Sequence, residues 1–352
     1  MKSKNYNKVF NILKRKYFKY IELDPVIESK FILQRSGENF KKYLFSFYNS
    51  DGQELSLRPD LTISSVIRYA QSKSNKKEKV FYTGSAFRKS YNQKNVVVRQ
   101  IGMEIFSSKN ENIDDKEIID ISLKILKSSR YRSSKLNIGN FKLFELLINK
   151  LQIPQRWKQR LIKFFWNEKY FSELLKRLES NLDIDPVAVA GDKKMYSKMI
   201  KLNQKKIING RSYKEIIKRF ESKINDPRQS ETGKKSAKII KEFLKIKCSL
   251  NNAPNVLNKF FKKYDLNIFV NKDFFPIKNL KIKDTKFEFS TSIGRGREVE
   301  FYNSLIFSLD VKKKNKFVNL ISGGRFDELT SKYLGLKKVP AVGAAVNLSN
   351  YE

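Results

Sequence analysis

Residues 80–106 read VFYTGSAFRKSYNQKNVVVRQIGMEIF and predict two long strands joined by a loop. Both arms, 80–88 and 96–106, are rich in β-branched and aromatic residues, which favour strands. The basic loop at 89–95 is long for a simple turn. We therefore expect an antiparallel pair with a mobile loop between its strands.

One face of the second strand carries side chains suited to a polar ligand. Gln100, Gly102 and Glu104 have period-two spacing, which places them on the same side of the strand. Gly102 leaves room for a ligand to lie against the sheet. Glu104 and Asp60 are suited to hold an ammonium group, and the planar fork of Arg88 suits a carboxylate or phosphate. These residues predict a pocket for a small zwitterion such as an amino acid.

The residues before this stretch predict a helix, a short strand, a hairpin and a second helix. Proline and Asp before an apolar-periodic run mark the start of that second helix. The predicted bounds are 1–20 for the first helix, 20–26 for the strand, 42–57 for the hairpin with its turn at 49–52, and 58–62 for the second helix start.

The residues after it predict strands again, but only after a long helical segment. The order of strands, helices and strands argues for an α+β fold with a mainly antiparallel sheet. We expect one domain, 1–352, with a helical insertion at 140–263. The other predicted elements are a helix at 114–129, strands at 286–292, 298–311 and 317–321, a glycine-rich turn at 322–327 opening a last helix, and a strand at 340–346.

Composition excludes several kinds of site. The 352 residues include no histidine, so a His general base, a Ser-His-Asp triad and a His-ligated zinc are impossible. The single cysteine, Cys248, excludes an internal disulfide and a cysteine metal cluster. No apolar run approaches the ~18 residues of a membrane span, and the basic N-terminus lacks the apolar core of a secretory signal. We expect a cytoplasmic protein without a metal or cofactor.

The net charge of +37 raises the question of nucleic-acid binding. The lysines, however, are spread along the whole chain, and no RNP-type motif or zinc finger accompanies them. We therefore do not expect nucleic acid to be the principal partner.

Seven segments, in this order, resemble the catalytic core of the histidyl-tRNA synthetases, a class II synthetase fold. Single matches of this kind are weak, whereas seven in family order are specific. They are Tyr20–Pro25, Leu57–Thr62, Phe81–Arg88, Arg99–Glu104, Arg297–Tyr302, Ser322–Asp327 and Pro340–Val346.

The resemblance implies a histidine-type amino-acid pocket. The residues that it assigns to this pocket are Asp60, Thr62, Arg88, Gln100, Glu104, Arg297, Tyr302, Gly323 and Gly324. Purely structural roles stay open as alternatives for some of these residues. Asp60 could only cap a helix, Arg88 and Glu104 could form an ion pair across two strands, and Gly323-Gly324 could be only a tight turn.

The sequence also departs from the synthetases. Asn350 stands where their third motif has a phosphate-binding arginine, and no anticodon-binding domain follows it before Glu352. Asp60-Leu61 replaces a Glu-Gly pair, and Glu298-Val299-Glu300 replaces Gly-Leu-Asp. We expect that no residue of this chain is catalytic.

A synthetase-like core with these changes is similar to the regulatory-subunit family of ATP phosphoribosyltransferases. The segments 35–38, 44–47 and 57–62 resemble the shorter bacterial form of that subunit. This resemblance implies a short-form catalytic subunit as partner, activation of that subunit, L-histidine as feedback effector, and a self-dimer through the first motif. The implied process is the first step of histidine biosynthesis.

Two alternatives stay open. The chain could be a truncated histidyl-tRNA synthetase paralogue that activates an amino acid with ATP. It could also be a nucleic-acid binding module on an inactive core, because the basic loop after Arg88 lies near the acceptor end and ATP in synthetases.

Overall fold

The computed structural model consists of helices and strands in the order that the α+β prediction requires. It describes residues 3–36, 38–72, 76–89, 97–107, 109–180, 186–202, 207–208, 211–225, 229–275, 282–296, 302–329, 331 and 338–351. The helices are α1 (Ser3–Lys14), α2 (Ser29–Ser36), α3 (Leu61–Gln71), α4 (Glu111–Ser128), α5 (Phe141–Lys150), α6 (Gln155–Phe164), α7 (Glu168–Glu179), α8 (Pro186–Leu202), α9 (Tyr213–Asn225), α10 (Ser230–Leu244) and α11 (Ala253–Lys263), with a short helix at Leu348–Tyr351. The strands are β1 (Lys19–Tyr20), β2 (Val26–Glu28), β3 (Ser46–Tyr48), β4 (Glu54–Leu57), β5 (Glu78–Phe87), β6 (Val97–Phe106), β7 (Ser134–Asn140), β8 (Ile207–Ile208), β9 (Arg211–Ser212), β10 (Lys247–Ser249), β11 (Thr285–Ser290), β12 (Leu305–Lys313), β13 (Lys316–Arg325) and β14 (Ala341–Asn347).

A large mixed sheet is the framework of the molecule. Within the described residues it has nine strands in the order β1-β5-β6-β14-β13-β12-β7-β11-β10. The β1–β5 and β11–β7 pairs are parallel and the other six pairs are antiparallel. The prediction of an α+β fold with a mainly antiparallel sheet is thus confirmed.

One face of this sheet, which we call the helical face, is the main core. Ile101, Met103 and Ile105 of β6 project from it into a cluster with residues of α1, α4, α5, α7 and α10. Side chains of one strand alternate between the two faces. Gln100, Gly102 and Glu104 therefore project to the opposite side, which we call the cleft face.

Helix α3 covers part of the cleft face. Asp60 caps it, since its Oδ1 accepts a hydrogen bond from the backbone N–H of Ile63 at 2.9 Å. Leu61 and Val66 pack against the large sheet, while Ile67 packs into a second cluster beneath the small sheet β2-β4-β3. The helix is therefore buried on both sides and fixed relative to β5 and β6.

The helix-rich segment 140–263 shares its core with the sheet. Phe144, Phe171, Phe243 and Phe261, from four of its helices, lie in the same cluster as the sheet residue Ile101. Its strand β10 also joins the edge of the large sheet. The division into one domain with an insertion stays a prediction.

Three predicted elements need correction. Residues 322–325 continue β13 instead of forming a turn, because the ladder to β12 and β14 runs through them. The stretch 21–25 separates two short strands, and 302–304 precedes β12 instead of belonging to it. Strand β7 was not predicted. Of the basic loop predicted at 89–95, residues 90–95 lie outside the described residues.

Other predictions are confirmed. The hairpin appears as β3 and β4, the paired strands as β5 and β6, and the first helix of the chain as α1. None of the helices within the described ranges combines the length and apolar character that crossing a bilayer would require.

Candidate functional site

Glu104 lies at the centre of the cleft face. Its side chain is only 1% exposed, and its Oε1 accepts hydrogen bonds from the hydroxyls of Tyr82 at 2.6 Å and Thr62 at 3.1 Å. The other oxygen, Oε2, is buried and has no hydrogen-bond partner. A buried carboxyl oxygen without a partner is costly, so this atom is the clearest place for a ligand donor.

Burial determines the charge of this carboxyl group. It raises the pKa of Glu104 to about 8, and the nearby carboxylate of Asp60 acts in the same direction. The hydrogen bonds from Tyr82 and Thr62 favour the ionised form but do not offset burial. Burial likewise raises the pKa of the Tyr82 phenol well above its ordinary value. Near neutral pH the pair is therefore mostly uncharged.

Tyr82 occupies the space that the sequence analysis assigned to a ligand. Gly102 pairs with Tyr82 on β5, and a Cβ added at Gly102 would collide with the Tyr82 ring. The glycine therefore accommodates this ring, which in turn reaches Glu104. The open space expected above Gly102 is filled by a protein side chain.

Helix α3 supplies the polar wall of the cleft. Thr62 is in its first turn and is half-buried, with its hydroxyl on Glu104. Asp60 is 8% exposed and binds the N-terminus of the same helix. The capping role of Asp60 is therefore present, and its charge still acts on Glu104.

Two arginines hold this wall in place. Arg58 is buried, and its guanidinium donates to the carbonyls of Leu23, Asp24 and Ser85 at 2.6–3.0 Å. Arg88 donates from Nε to the carbonyl of Pro59 at 2.7 Å. Glu104 is bound by hydroxyls and not by Arg88, so the structural ion pair considered for these two residues is not the arrangement seen.

The opposite wall is formed by glycines of β14 and β13. Gly343 pairs with Glu104, and a Cβ added at Gly343 would collide with Glu104 Oε2. Gly324, in turn, pairs with Gly343 and lies beneath the Tyr302 ring. A Cβ at Gly324 would lie 2.6 Å from Tyr302 Cδ1. The backbone of Gly343 is therefore close to Glu104, and that of Gly324 is close to Tyr302.

Not all predicted residues lie together. Gln100 is half-buried on the cleft face, beside Gly84 and Asn347 and two positions from Gly102. Gly323 faces the helical side, where an added Cβ would lie 2.7 Å from Phe307 Cε1. Arg297 lies outside the described residues.

Asn350 forms its hydrogen bonds with residues other than those around Glu104. Its Nδ2 donates to the carbonyl of Asn319 at 2.9 Å, and its carbonyl accepts from the Tyr131 hydroxyl at 2.6 Å. A neutral amide thus occupies the position where the resemblance places an arginine in the synthetases.

Sequence reasoning missed Tyr82 and Arg58 as parts of the site. Tyr82 could have been found, because it precedes Gly84 by two residues and the strand pair places it opposite the 100–104 row. Arg58 gave no such signal, since its partners are carbonyl groups. In the described part of the chain, Cys, Asp and Glu side chains nowhere gather into a group of three that could hold a metal ion.

This sheet, the covering helix α3 and a buried acid on the cleft face define a class II synthetase-like protein. A family model described as histidyl-tRNA synthetase matches residues 3–223. The match spans more than half of the chain, and the protein therefore belongs to the histidyl-tRNA synthetase family.

Curated relatives carry a different name. The chain is 24% identical over 348 residues to the ATP phosphoribosyltransferase regulatory subunit of Sinorhizobium fredii, covering 93% of this chain and 90% of the relative. It is 27% identical over 349 residues to the subunit of that name from Allorhizobium ampelinum, covering 93% and 91%.

Solved structures share the fold. An ATP phosphoribosyltransferase regulatory subunit/histidyl-tRNA synthetase from Bacillus halodurans matches with a TM-score of 0.57 and 18% identity, covering 99% of this chain and 78% of that one. A histidine–tRNA ligase subunit from Alicyclobacillus acidocaldarius matches with a TM-score of 0.56 and 15% identity, covering 99% and 91%. These likenesses confirm the class II synthetase fold.

Proposed function

We propose that this protein is a non-catalytic regulatory subunit of ATP phosphoribosyltransferase that binds L-histidine in the cleft beside Glu104. The names of its curated relatives, aligned over 93% of the chain, support the regulatory role. The single structural observation that supports the ligand is the buried Oε2 of Glu104, which has no hydrogen-bond partner.

The chemistry of the cleft fits a ligand with N–H donors. An imidazole or ammonium group would donate to Glu104 Oε2 and favour the ionised carboxylate, because hydrogen bonding to the charged form lowers a raised pKa. Asp60 adds negative charge on the same side. Arg88, with its planar guanidinium, would face the ligand carboxylate.

The regulatory role requires a partner and a second conformation. The partner would be the short-form catalytic subunit, which this protein would activate in the first step of histidine biosynthesis in the cytoplasm. Histidine would favour one of two assembly states, each containing a self-dimer of this chain. Linkage makes the effect reciprocal, so bound catalytic subunit would change histidine affinity by the same factor as histidine changes subunit affinity.

Co-expression with the short-form catalytic subunit tests this proposal. We expect the two chains to co-purify, phosphoribosyl transfer to rise in their complex, and L-histidine to lower it. Glu104→Gln should retain complex formation and weaken the response to histidine. Asn258→Ala, which removes an amide bound to Val270 far from the cleft, is the matched control. Failure to co-purify or to raise transfer would refute the regulatory role.

A second candidate function is histidine activation, which the match to the histidyl-tRNA synthetase family model favours. ATP–pyrophosphate exchange separates the two. We expect no exchange, because Asn350 supplies no charge for the ATP phosphates and its amide is bound to Asn319. Loss of one preorganised electrostatic group commonly costs ~3–4 kcal/mol of transition-state stabilisation. Exchange that depends on histidine would favour the synthetase function.

A further inference from the structure

Tyr302 occupies a position between two separately packed parts of the molecule. It is half-buried and packs against both the main cluster of the helical layer and the smaller cluster beneath α3. Its ring lies on Gly324, two strands from Glu104 in the register of the sheet. The ring of Tyr302 therefore covers the cleft face at Gly324.

The backbone after Tyr302 is fixed by hydrogen bonds at two successive residues. The N–H of Asn303 donates to the carbonyl of Arg325 at 2.9 Å, and the carbonyl of Ser304 accepts from the N–H of Phe141 at 2.8 Å. Asn303 is thus held at the end of β13, next to Tyr302.

The side chain of Asn303 forms a reciprocal pair with Asp327. Asn303 Nδ2 donates to Asp327 Oδ2 at 3.2 Å, and the N–H of Asp327 donates to Asn303 Oδ1 at 3.3 Å. The other carboxylate oxygen of Asp327 accepts from Arg325 Nη1 and from the N–H of Ala341, both at 2.9 Å. Asp327 is fully buried, so each of its bonds is made in a low-dielectric interior.

The hydrogen bonds of this pair extend through Arg325 to α4 on the helical face. Arg325, also fully buried, donates from Nε and Nη2 to Asp115 Oδ1 of α4 at 2.9 and 2.6 Å. A connected and satisfied polar network of this kind specifies one arrangement of the segments that it joins. The segment carrying Tyr302 is therefore tied to β13, β14 and α4 together.

We propose that Asn303 and Asp327 are positioning residues that hold Tyr302 at the ligand cleft. The inference rests on the proposed function, because it takes the cleft as the histidine site. Neither residue touches the ligand. Each acts by fixing the backbone next to Tyr302, and so determines the ligand affinity through that ring.

A double-mutant cycle separates positioning from general support of the fold. Asn303→Ala should weaken L-histidine binding in calorimetry by about tenfold, equivalent to ~1.4 kcal/mol. In a Tyr302→Ala background the same change should cost little further affinity, because its effect passes through the ring of Tyr302. An additive loss in that background would overturn the proposal, since independent effects add.

A matched control uses an asparagine with the same bonding pattern elsewhere. Asn258 donates from Nδ2 to the carbonyl of Val270 at 2.9 Å and accepts from its N–H at 2.8 Å. Asn258→Ala should lower the unfolding midpoint in the same way as Asn303→Ala and leave histidine affinity unchanged. Equal losses of affinity in both variants would show that Asn303 acts only through stability.

A ligand-free readout keeps this test independent of the proposed function. In protein labelled with 3-fluorotyrosine, the fluorine signal of Tyr302 is identified by its absence from Tyr302→Phe. Asn303→Ala should shift or broaden this signal, and Asn258→Ala should not. An unmoved signal overturns the positioning role even if histidine binds. A moved signal without any histidine binding to the wild type would refute the proposed function alone.

An exchanged pair covers the case in which Asn303→Ala does not fold. Asn303→Asp combined with Asp327→Asn keeps one amide and one carboxylate facing each other, whereas Asn303→Asp alone opposes two carboxylates. The double variant should recover the wild-type fluorine signal and at least half of the lost affinity. A double variant no better than the single one would overturn the proposal.

Discussion

The carboxyl group of Glu104 lies directly against the backbone of Gly343, so that a Cβ at Gly343 would collide with Glu104 Oε2. The two residues are cross-strand partners of β6 and β14. Oε2 is the buried oxygen without a hydrogen-bond partner. The glycine therefore preserves the space in which this carboxyl group and any ligand on it must lie.

Gly343→Ala should displace Glu104 and weaken histidine binding. Overpacking of a buried site costs ~1–3 kcal/mol, so the free energy of unfolding should fall by that amount. Urea unfolding measures the loss of stability and calorimetry the loss of affinity. Both should change, because the Glu104 carboxyl group is buried and held by Tyr82 and Thr62, and the backbone carbonyl of Met103 also lies 2.7 Å from the added Cβ.

Gly191→Ala is the matched control for that variant. Gly191 lies in α8, and a Cβ there would meet no atom within 4 Å. The change should leave affinity unaltered and raise stability slightly, because Ala is a better helix former than Gly by up to ~1 kcal/mol. A harmless Gly343→Ala would show that Glu104 moves freely within the cleft.

Glu104→Gln should change how stability depends on pH. The pKa of Glu104 is about 8 in the folded protein and its ordinary value is 4.5 in the unfolded chain. The unfolded state therefore loses this proton first, and wild-type stability falls as pH rises from about 4.5 to about 8. At about 1.4 kcal/mol per pKa unit, the full effect is at most roughly 5 kcal/mol.

Glutamine retains an oxygen for Tyr82 and Thr62 but has no proton to lose in this range. The stability of the variant relative to wild type should therefore increase between pH 5 and 8 and then level off. Urea unfolding at several pH values provides the curve. A constant difference across this range would mean that Glu104 is ionised in the folded protein.

Tyr82→Phe should weaken ligand binding and lower stability together. The hydroxyl donates to Glu104 Oε1 at 2.6 Å, and its loss leaves a buried oxygen with less support, at a cost of ~1–3 kcal/mol. The pKa of Glu104 should rise further, because this hydrogen bond favours the ionised form. Calorimetry with histidine and urea unfolding measure the two effects.

Tyr351→Phe is the corresponding control for Tyr82→Phe. Tyr351 is also buried, and its hydroxyl is 2.8 Å from Ser128 Oγ, outside the cleft. Its removal should lower the unfolding free energy without changing affinity. If both tyrosine variants bound histidine as wild type does, the Tyr82 hydroxyl would have no part in the site.

Local patterns were enough to predict the elements that form the cleft. The β-branched and aromatic residues of 96–106 and the Pro59-Asp60 helix start are short-range signals, and the corresponding β6 and α3 form as expected. The row Gln100, Gly102 and Glu104 shares one face for the same reason. What these residues bind stays a prediction.

Long-range packing explains what the sequence did not reveal. Gly323-Gly324 has the composition of a turn, yet both glycines lie within β13, because the ladder to β12 and β14 continues through them. Glycine is needed there because Phe307 crowds the Cβ position on one face and Tyr302 on the other. The ring of Tyr82 fills the space over Gly102 in the same way. Such contacts depend on register between distant segments and leave no local pattern.

Arg325→Met should be among the most destabilising single changes in the protein. Arg325 is fully buried, and its guanidinium binds Asp115, Asp327 and the carbonyl of Glu111. Its removal leaves two buried carboxylates without their cation, which commonly costs ~3–5 kcal/mol. Arg68→Met is the control, because the partly exposed Arg68–Glu78 pair should contribute only ~0–1 kcal/mol.

The loss of stability caused by Arg325→Met should be smaller at acidic pH. Burial raises the pKa of Asp115 to about 6 even with Arg325 present, and without that cation the pKa should rise further. The Arg325→Met variant should therefore lose less stability at pH 5, where Asp115 can take up a proton, than at pH 8. Urea unfolding of both arginine variants at the two pH values measures this. A pH-independent loss would mean that water reaches the network once the guanidinium is gone.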